Sequence, residues 1–115
     1  MAEINQDDYQ VSYDPETAVI TCSGRFRLRG EEYAPIADLL NEAADAKPPT
    51  LTLDLRKLQF LNSSGINILS KFVLRVRKHN ASAVTIIGNA AFPWQYKSLK
   101  NLQRLLPGLQ VELED

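Results

Sequence analysis

Residues 51–78 constrain this chain more than any other stretch. They read LTLDLRKLQFLNSSGINILSKFVLRVRK. Apolar and β-branched residues first alternate with polar ones, as in a half-buried strand. After a short bend come Asn62-Ser63-Ser64-Gly65, and apolar residues then recur at Ile66, Leu69, Phe72 or Val73, and Val76. That second spacing is helical, with Asn67, Lys71, Arg75 and Lys78 on the opposite side. A strand therefore runs almost directly into a helix and delivers two serine hydroxyls to its start. Small polar residues suit this place, because the first amides of a helix lack intrahelical acceptors and a side-chain oxygen supplies one. Arg75, Arg77 and Lys78 gather at the other end, where the carbonyls carry negative partial charge. A phosphoryl group on a serine at the positive end would meet free amides and a favourable dipole. Read from the residues alone, Ser63 and Ser64 either cap the helix or carry a switch.

The flanking sequence supplies the remaining elements. Tyr9–Tyr13 and Thr17–Cys22 read as strands joined at Asp14-Pro15-Glu16, a turn at hairpin spacing. Alternation continues beyond Gly24, a bend or bulge, through Phe26 and Leu28, with Arg25, Arg27 and Arg29 on the solvent side. Glu31–Ala46 reads as a helix with Pro35 in its first turn and Ile36, Leu39, Leu40 and Ala43 on one face. Pro48-Pro49 cannot continue it and sets up an extended entry into a strand over Thr50–Asp54, followed by a loop at Arg56-Lys57. The apolar run Val84–Ile87 predicts a strand buried on both faces at the sheet centre. Phe92–Leu106 returns to helical spacing, with Pro93 in the first turn and Pro107-Gly108 as the stop; Leu109–Leu113 adds an edge strand. Trp94 is either core or a partly exposed anchor for a partner. The order β-β-α-β-α-β-α-(β) implies an α/β fold, a mixed sheet with helices packed on it.

A chain of 115 residues with 44% hydrophobic content fits one domain spanning 1–115, its core at about 9–113. No apolar run approaches the roughly 18 residues of a membrane span, and the polar opening is not a signal peptide. The expectation is a cytoplasmic protein without membrane insertion. Cys22 has no disulfide partner, no Cys or His cluster calls for a metal, no cofactor is implied, and His79 reads as a surface residue. The net charge of -1 hides an asymmetry: residues 1–50 carry 10 acids and 4 bases, residues 51–104 carry 9 bases and 1 acid. Without a nucleic-acid-binding signature, that separation points to steering of a protein partner rather than to nucleic acid. Catalysis is not expected. His79 lies about four helical turns from the serines at ~5.4 Å per turn, and neither a GxSxG elbow nor a Gly-Lys-Ser phosphate loop is present.

Asp54-Leu55 at a strand end, the linker to Phe60, and Leu61-Asn62-Ser63-Ser64-Gly65-Ile66 opening a helix resemble the signature of the STAS domain, the anti-sigma-factor antagonist family. The resemblance covers roughly Val11–Leu106 in element order. It implies a STAS-like single domain that binds a kinase-like anti-sigma factor or similar regulator. A serine kinase would modify Ser64, the second serine of the run, and a phosphatase would restore it. Asn62, Ser63, Ser64 and Gly65 then form the partner-binding surface, with Gly65 allowing close approach. Two positions depart from the family pattern: Asn62 stands where aspartate is usual, and Gly24-Arg25-Phe26-Arg27 stands where Gly-x-Leu-Asp is common. Arg27 either pairs with an anion at Ser64, a phosphoryl group or an acidic partner side chain, or is simply solvated. The alternative function is a constitutive STAS scaffold or ligand-binding module, of the transporter or lipid-trafficking type, in which the serines only cap the helix.

Overall fold

In the computed structural model of the chain, residues 2–114 are described. Six strands form one mixed sheet in sequential order: β1 (Ala2–Asn5), β2 (Tyr9–Asp14), β3 (Val19–Phe26), β4 (Thr50–Leu61), β5 (Ala83–Asn89) and β6 (Gln110–Glu114). The first three strands pair antiparallel, while β3 through β6 pair parallel. Helices α1 (Ala34–Asp45), α2 (Ser63–His79) and α3 (Pro93–Leu105) make the three parallel crossovers, and a 3-10 turn, Gly30–Tyr33, leads into α1. The parallel strands advance in one direction across the sheet, so right-handed crossovers carry all three helices to the same face. Burial follows that rule. Ile20, Cys22, Leu51, Leu53, Val84 and Ile86 face the helices with at most 2% exposure, whereas Ser12, Thr21, Thr52 and Thr85 on the other face stay half-buried.

The helices form where the apolar spacing puts them. Ile36, Leu39, Leu40, Ala43 and Ala44 of α1 and Leu69, Phe72, Val73 and Val76 of α2 join the sheet leucines in one core. Ile66 is only half-buried against it. Prolines sit in the first turns of α1 and α3, where no amide donor is needed. β6 lies at a sheet edge, as its short alternating pattern predicts.

Three strand expectations need correction. The packed region begins before residue 9: Ala2–Asn5 pairs with Gln10–Tyr13, although four residues alternating with Glu3 and Asn5 offer little hydrophobic signal. β5 is not at the sheet centre. It lies next to the β6 edge, and Thr85 and Ile87 on its helix-free face are half-buried, because helices cover one face only. Finally, the strand expected to end at Asp54 runs on to Leu61, with no loop at Arg56-Lys57. Between Thr21 and Ser23 of β3, β4 advances from Asp54 to Lys57; between Gly24 and Arg25 it advances from Leu58 to Phe60. Each shift is a bulge with one extra residue on β4. Buried leucines therefore fall at 51, 53, 55, 58 and 61, a spacing that leaves period 2 without leaving the strand. Gly24 sits at the second bulge with φ +90°, and a Cβ there would collide with the Asp8 carbonyl and Tyr9 backbone.

Candidate functional site

The carboxyl ends of β3 and β4 and the start of α2 meet at one end of the sheet. Phe26 and Leu61 are register partners, and the Asn62 amide donates to the Phe26 carbonyl at 3.2 Å. Asn62 is the helix cap and more. Its Oδ1 accepts from the Gly65 amide at 2.9 Å and from the Tyr33 hydroxyl at 2.7 Å, while its Nδ2 donates to the Leu28 carbonyl at 2.8 Å. An aspartate carboxylate could keep the first two bonds but would turn an oxygen toward the Leu28 carbonyl. The amide is therefore matched to this surrounding. Burial pushes the Tyr33 hydroxyl up to about 12, so it remains a proton donor to Asn62.

Because Asn62 caps α2, the two serines are released from that work. Ser63 is exposed, Ser64 is half-buried, and among the described residues neither hydroxyl has a hydrogen-bond partner within the protein. No acidic residue occupies the first turn, and Arg77, Lys78 and His79 occupy the last. The amides of Ser63 and Ser64 thus point outward at the positive end of a 17-residue helix. Gly65 is different. It is buried, and a Cβ would collide with the Leu61 side chain and lie 2.8 Å from the Tyr33 hydroxyl, so glycine here is required by the domain's own packing rather than by a partner's approach.

Arg27 stands on the exposed side of the segment that follows β3, with its guanidinium 5.9 Å from the centre of the Phe60 ring. Among the described residues, no hydrogen bond joins it to Ser64 and no carboxylate pairs with it. Arg56, by comparison, is engaged by Asp54 through contacts of 3.0 and 2.7 Å, which hold the Asp54 carboxyl below its ordinary range. His79 ends α2, far along the helix from the serines, and contacts Asp45 at 2.8 Å. Among the described residues, no group of three or more metal-ligating side chains comes together.

Two residues that supply much of the site's rigidity lie in α3. Beyond Asp54, β5 no longer pairs with β4. Gln95, with 0% exposure, donates instead to the Leu55 and Leu58 carbonyls at 2.8 and 3.1 Å and accepts from the Asn89 amide at 2.7 Å. The Trp94 indole donates to Leu58 at 3.1 Å while its ring packs against the core. Trp94 is thus half-buried and bonded, which resolves the choice between core and exposed anchor in favour of the core. Gln95 gave no signal in the sequence, since a glutamine at helical spacing reads as a surface residue.

No protein-family model and no curated protein matches the sequence. Solved structures do match the fold. The chain found in the complex of the diguanylate cyclase SiaD with its activator SiaC from Pseudomonas aeruginosa aligns with TM-score 0.75, 13% identity and coverage of 99% of this chain and 100% of that one. An anti-sigma factor antagonist from Mycobacterium paratuberculosis gives TM-score 0.67 at 20% identity, covering 93% and 90%. An anti-sigma-factor antagonist (STAS) domain protein from Planctomyces limnophilus gives 0.58 at 18%, covering 93% and 92%. The chain has a STAS-like fold. Within that STAS-like fold, the Asn62–Gly65 run opens the helix that follows the long bulged strand, and both open at the carboxyl end of the parallel strands.

Proposed function

We propose that this STAS-like domain is a non-enzymatic regulatory interaction module, with Ser64 as its phosphoacceptor. One observation carries the reading: Asn62 alone caps α2, so Ser63 and Ser64 present hydroxyls that the fold does not use, at a helix end that favours anions. The unmodified surface formed by Asn62, Ser63 and Ser64, flanked by Arg27, docks a kinase-like anti-sigma factor or related regulator. A serine kinase adds close to two negative charges and bulk at Ser64, and a protein phosphatase removes them. The fold shared with anti-sigma factor antagonists and with the cyclase activator SiaC supports a regulator as partner.

The test is intact-mass spectrometry of the protein from its native cells, with peptide mapping across Phe60–Lys78. Phosphate on Ser64 is expected. Its absence across growth conditions would replace the switch by the alternative of a constitutive scaffold, which the fixed amide role of Asn62 favours.

A further inference from the structure

We propose that the open sheet face beside the site is a docking groove for an acidic, aromatic-containing peptide segment of a protein partner. The proposal rests on the chain's being an interaction module and not on modification of Ser64. The groove encloses about 440 Å³ and is lined by Arg25, Arg27, Gln59, Phe60 and Phe92. Its composition is that of an interface centre: two guanidinium groups beside two phenyl rings. Phe60, 43% exposed, shares that groove with Phe92 and both guanidinium groups, so it belongs to a contiguous patch rather than standing as a scattered apolar residue.

The second β4 bulge creates this arrangement. Without it, alternation after Leu58 would turn Phe60 back toward the helices. The extra residue sends both Gln59 and Phe60 outward and sets Phe60 beside Arg25 in the β3–β4 register. The Arg27 guanidinium then lies over the Phe60 ring, 5.9 Å from its centre, and among the described residues no carboxylate pairs with it.

Charge selects the occupant. Among the described residues, neither Arg25 nor Arg27 forms an ion pair, whereas Arg56 and Arg75 are each bound by an aspartate. Asp7 and Asp8 line the adjoining hollow on the other side of Arg25. A carboxylate-bearing segment is therefore drawn toward Arg27 and Phe60 and repelled from the Asp7-Asp8 side, which places it at the Arg27 end of the groove. Guanidinium forks donate to carboxylates in bidentate geometry, and the two phenyl rings receive an aromatic side chain between acidic ones.

The experiment is amide-resolved NMR of the full chain titrated with a blocked peptide of Glu-Glu-Phe repeats, with its Lys-Lys-Phe counterpart, and with GTP. The acidic peptide should give saturable shifts at Arg25, Arg27, Phe60 and Phe92 that weaken with added salt. Arg25→Glu/Arg27→Glu and, separately, Phe60→Ser should each weaken binding by about tenfold or more while leaving the remaining spectrum folded, since these side chains are exposed. Lys71→Ala, on the exposed side of α2 and outside the groove, should bind as wild type, and because the titration uses the unmodified protein, a missing phosphate in cells and a failed groove are separate results. Absence of saturable shifts, shifts centred instead on Arg75, Arg77 and Lys78, or tighter binding of GTP at the groove would each overturn the proposal.

Discussion

Asn62 shows how one atom exchange changes what a position can do. Its Nδ2 faces the Leu28 carbonyl at 2.8 Å, so Asn62→Asp places two acceptors in opposition unless the new carboxyl is protonated. We expect a loss of about 1 kcal/mol at neutral pH, the low end of the cost of an unpaired polar group, since Asn62 and Leu28 are half-buried. The protonated acid can donate to Leu28, and we expect this to outweigh the Gly65 and Tyr33 donors and the helix end, which favour the charged form, so that the variant carboxyl has a raised pKa in the folded state. A raised pKa gives stability that is complete below the unfolded value and lost as pH rises through the folded one. Urea melts of Asn62→Asp should thus approach wild type as the pH falls toward 4 and diverge toward 7; an equal deficit at both would overturn the assignment. The capping role of Asn62 is legible from its place before an apolar-periodic run. Its second role is not, because Leu28 and Tyr33 lie 34 and 29 residues away and no local pattern announces them.

Elements are joined here by a few side chains that stand in for missing backbone partners. Gln95 of α3 completes β4 where β5 has stopped pairing, and so holds the bulged segment that carries Phe60. Gln95→Leu keeps the volume but orphans the Leu55 carbonyl and the Asn89 amide, each of which has this side chain as its partner. A loss of about 2 kcal/mol or more should follow, with hydrogen-exchange protection falling first in β4 beyond Asp54. Uniform loss of protection would show that Gln95 supports the whole sheet instead. A second junction clips α1 to α2: Asp45 receives Arg75 through two 2.7 Å contacts and His79 at 2.8 Å, and these hydrogen bonds hold its carboxyl well below the ordinary range. A depressed folded pKa gives stability present above the unfolded value and lost as pH falls. Asp45→Asn should therefore differ from wild type at pH 6 and converge with it under acid, as read by melting temperature. Helix positions are legible because burial at period 3.6 survives tertiary packing, whereas of β4 only Thr50–Asp54 is legible. Its two bulges break the period-2 signal at Arg56-Lys57 and Gln59-Phe60, although leucine still returns to the buried face after each.

At the scale of the whole molecule, sequential strand order and one-sided helices leave two unlike surfaces: a helix layer closing the core and a helix-free sheet face, mostly threonine, serine and charged residues, with Val19, Phe60 and Ile87 among them. The alternation of strands and helices in the sequence implies this layering, but not that every helix lies on one side. That follows from strands adding in one direction, a tertiary choice no local segment encodes. A sheet covered on one face has a single core, and its opening should be cooperative. Cys22 is placed to report on it. It lies on β3 with 1% exposure, flanked by β2 and β4, and burial, assisted by the charge of Asp54, pushes its thiol up to about 12. At neutral pH the native state therefore offers a thiol reagent neither access nor thiolate, and labelling has to wait for the core to open. Labelling measured at increasing urea should give an opening free energy that matches global unfolding by circular dichroism within about 1 kcal/mol. Faster labelling with a weaker but still clear urea dependence would mean that β2 and β3 separate from the rest of the sheet before it unfolds. The antiparallel hairpin would then be a unit distinct from the parallel half that carries Asn62–Gly65, and partner binding at α2 would leave the labelling rate unchanged.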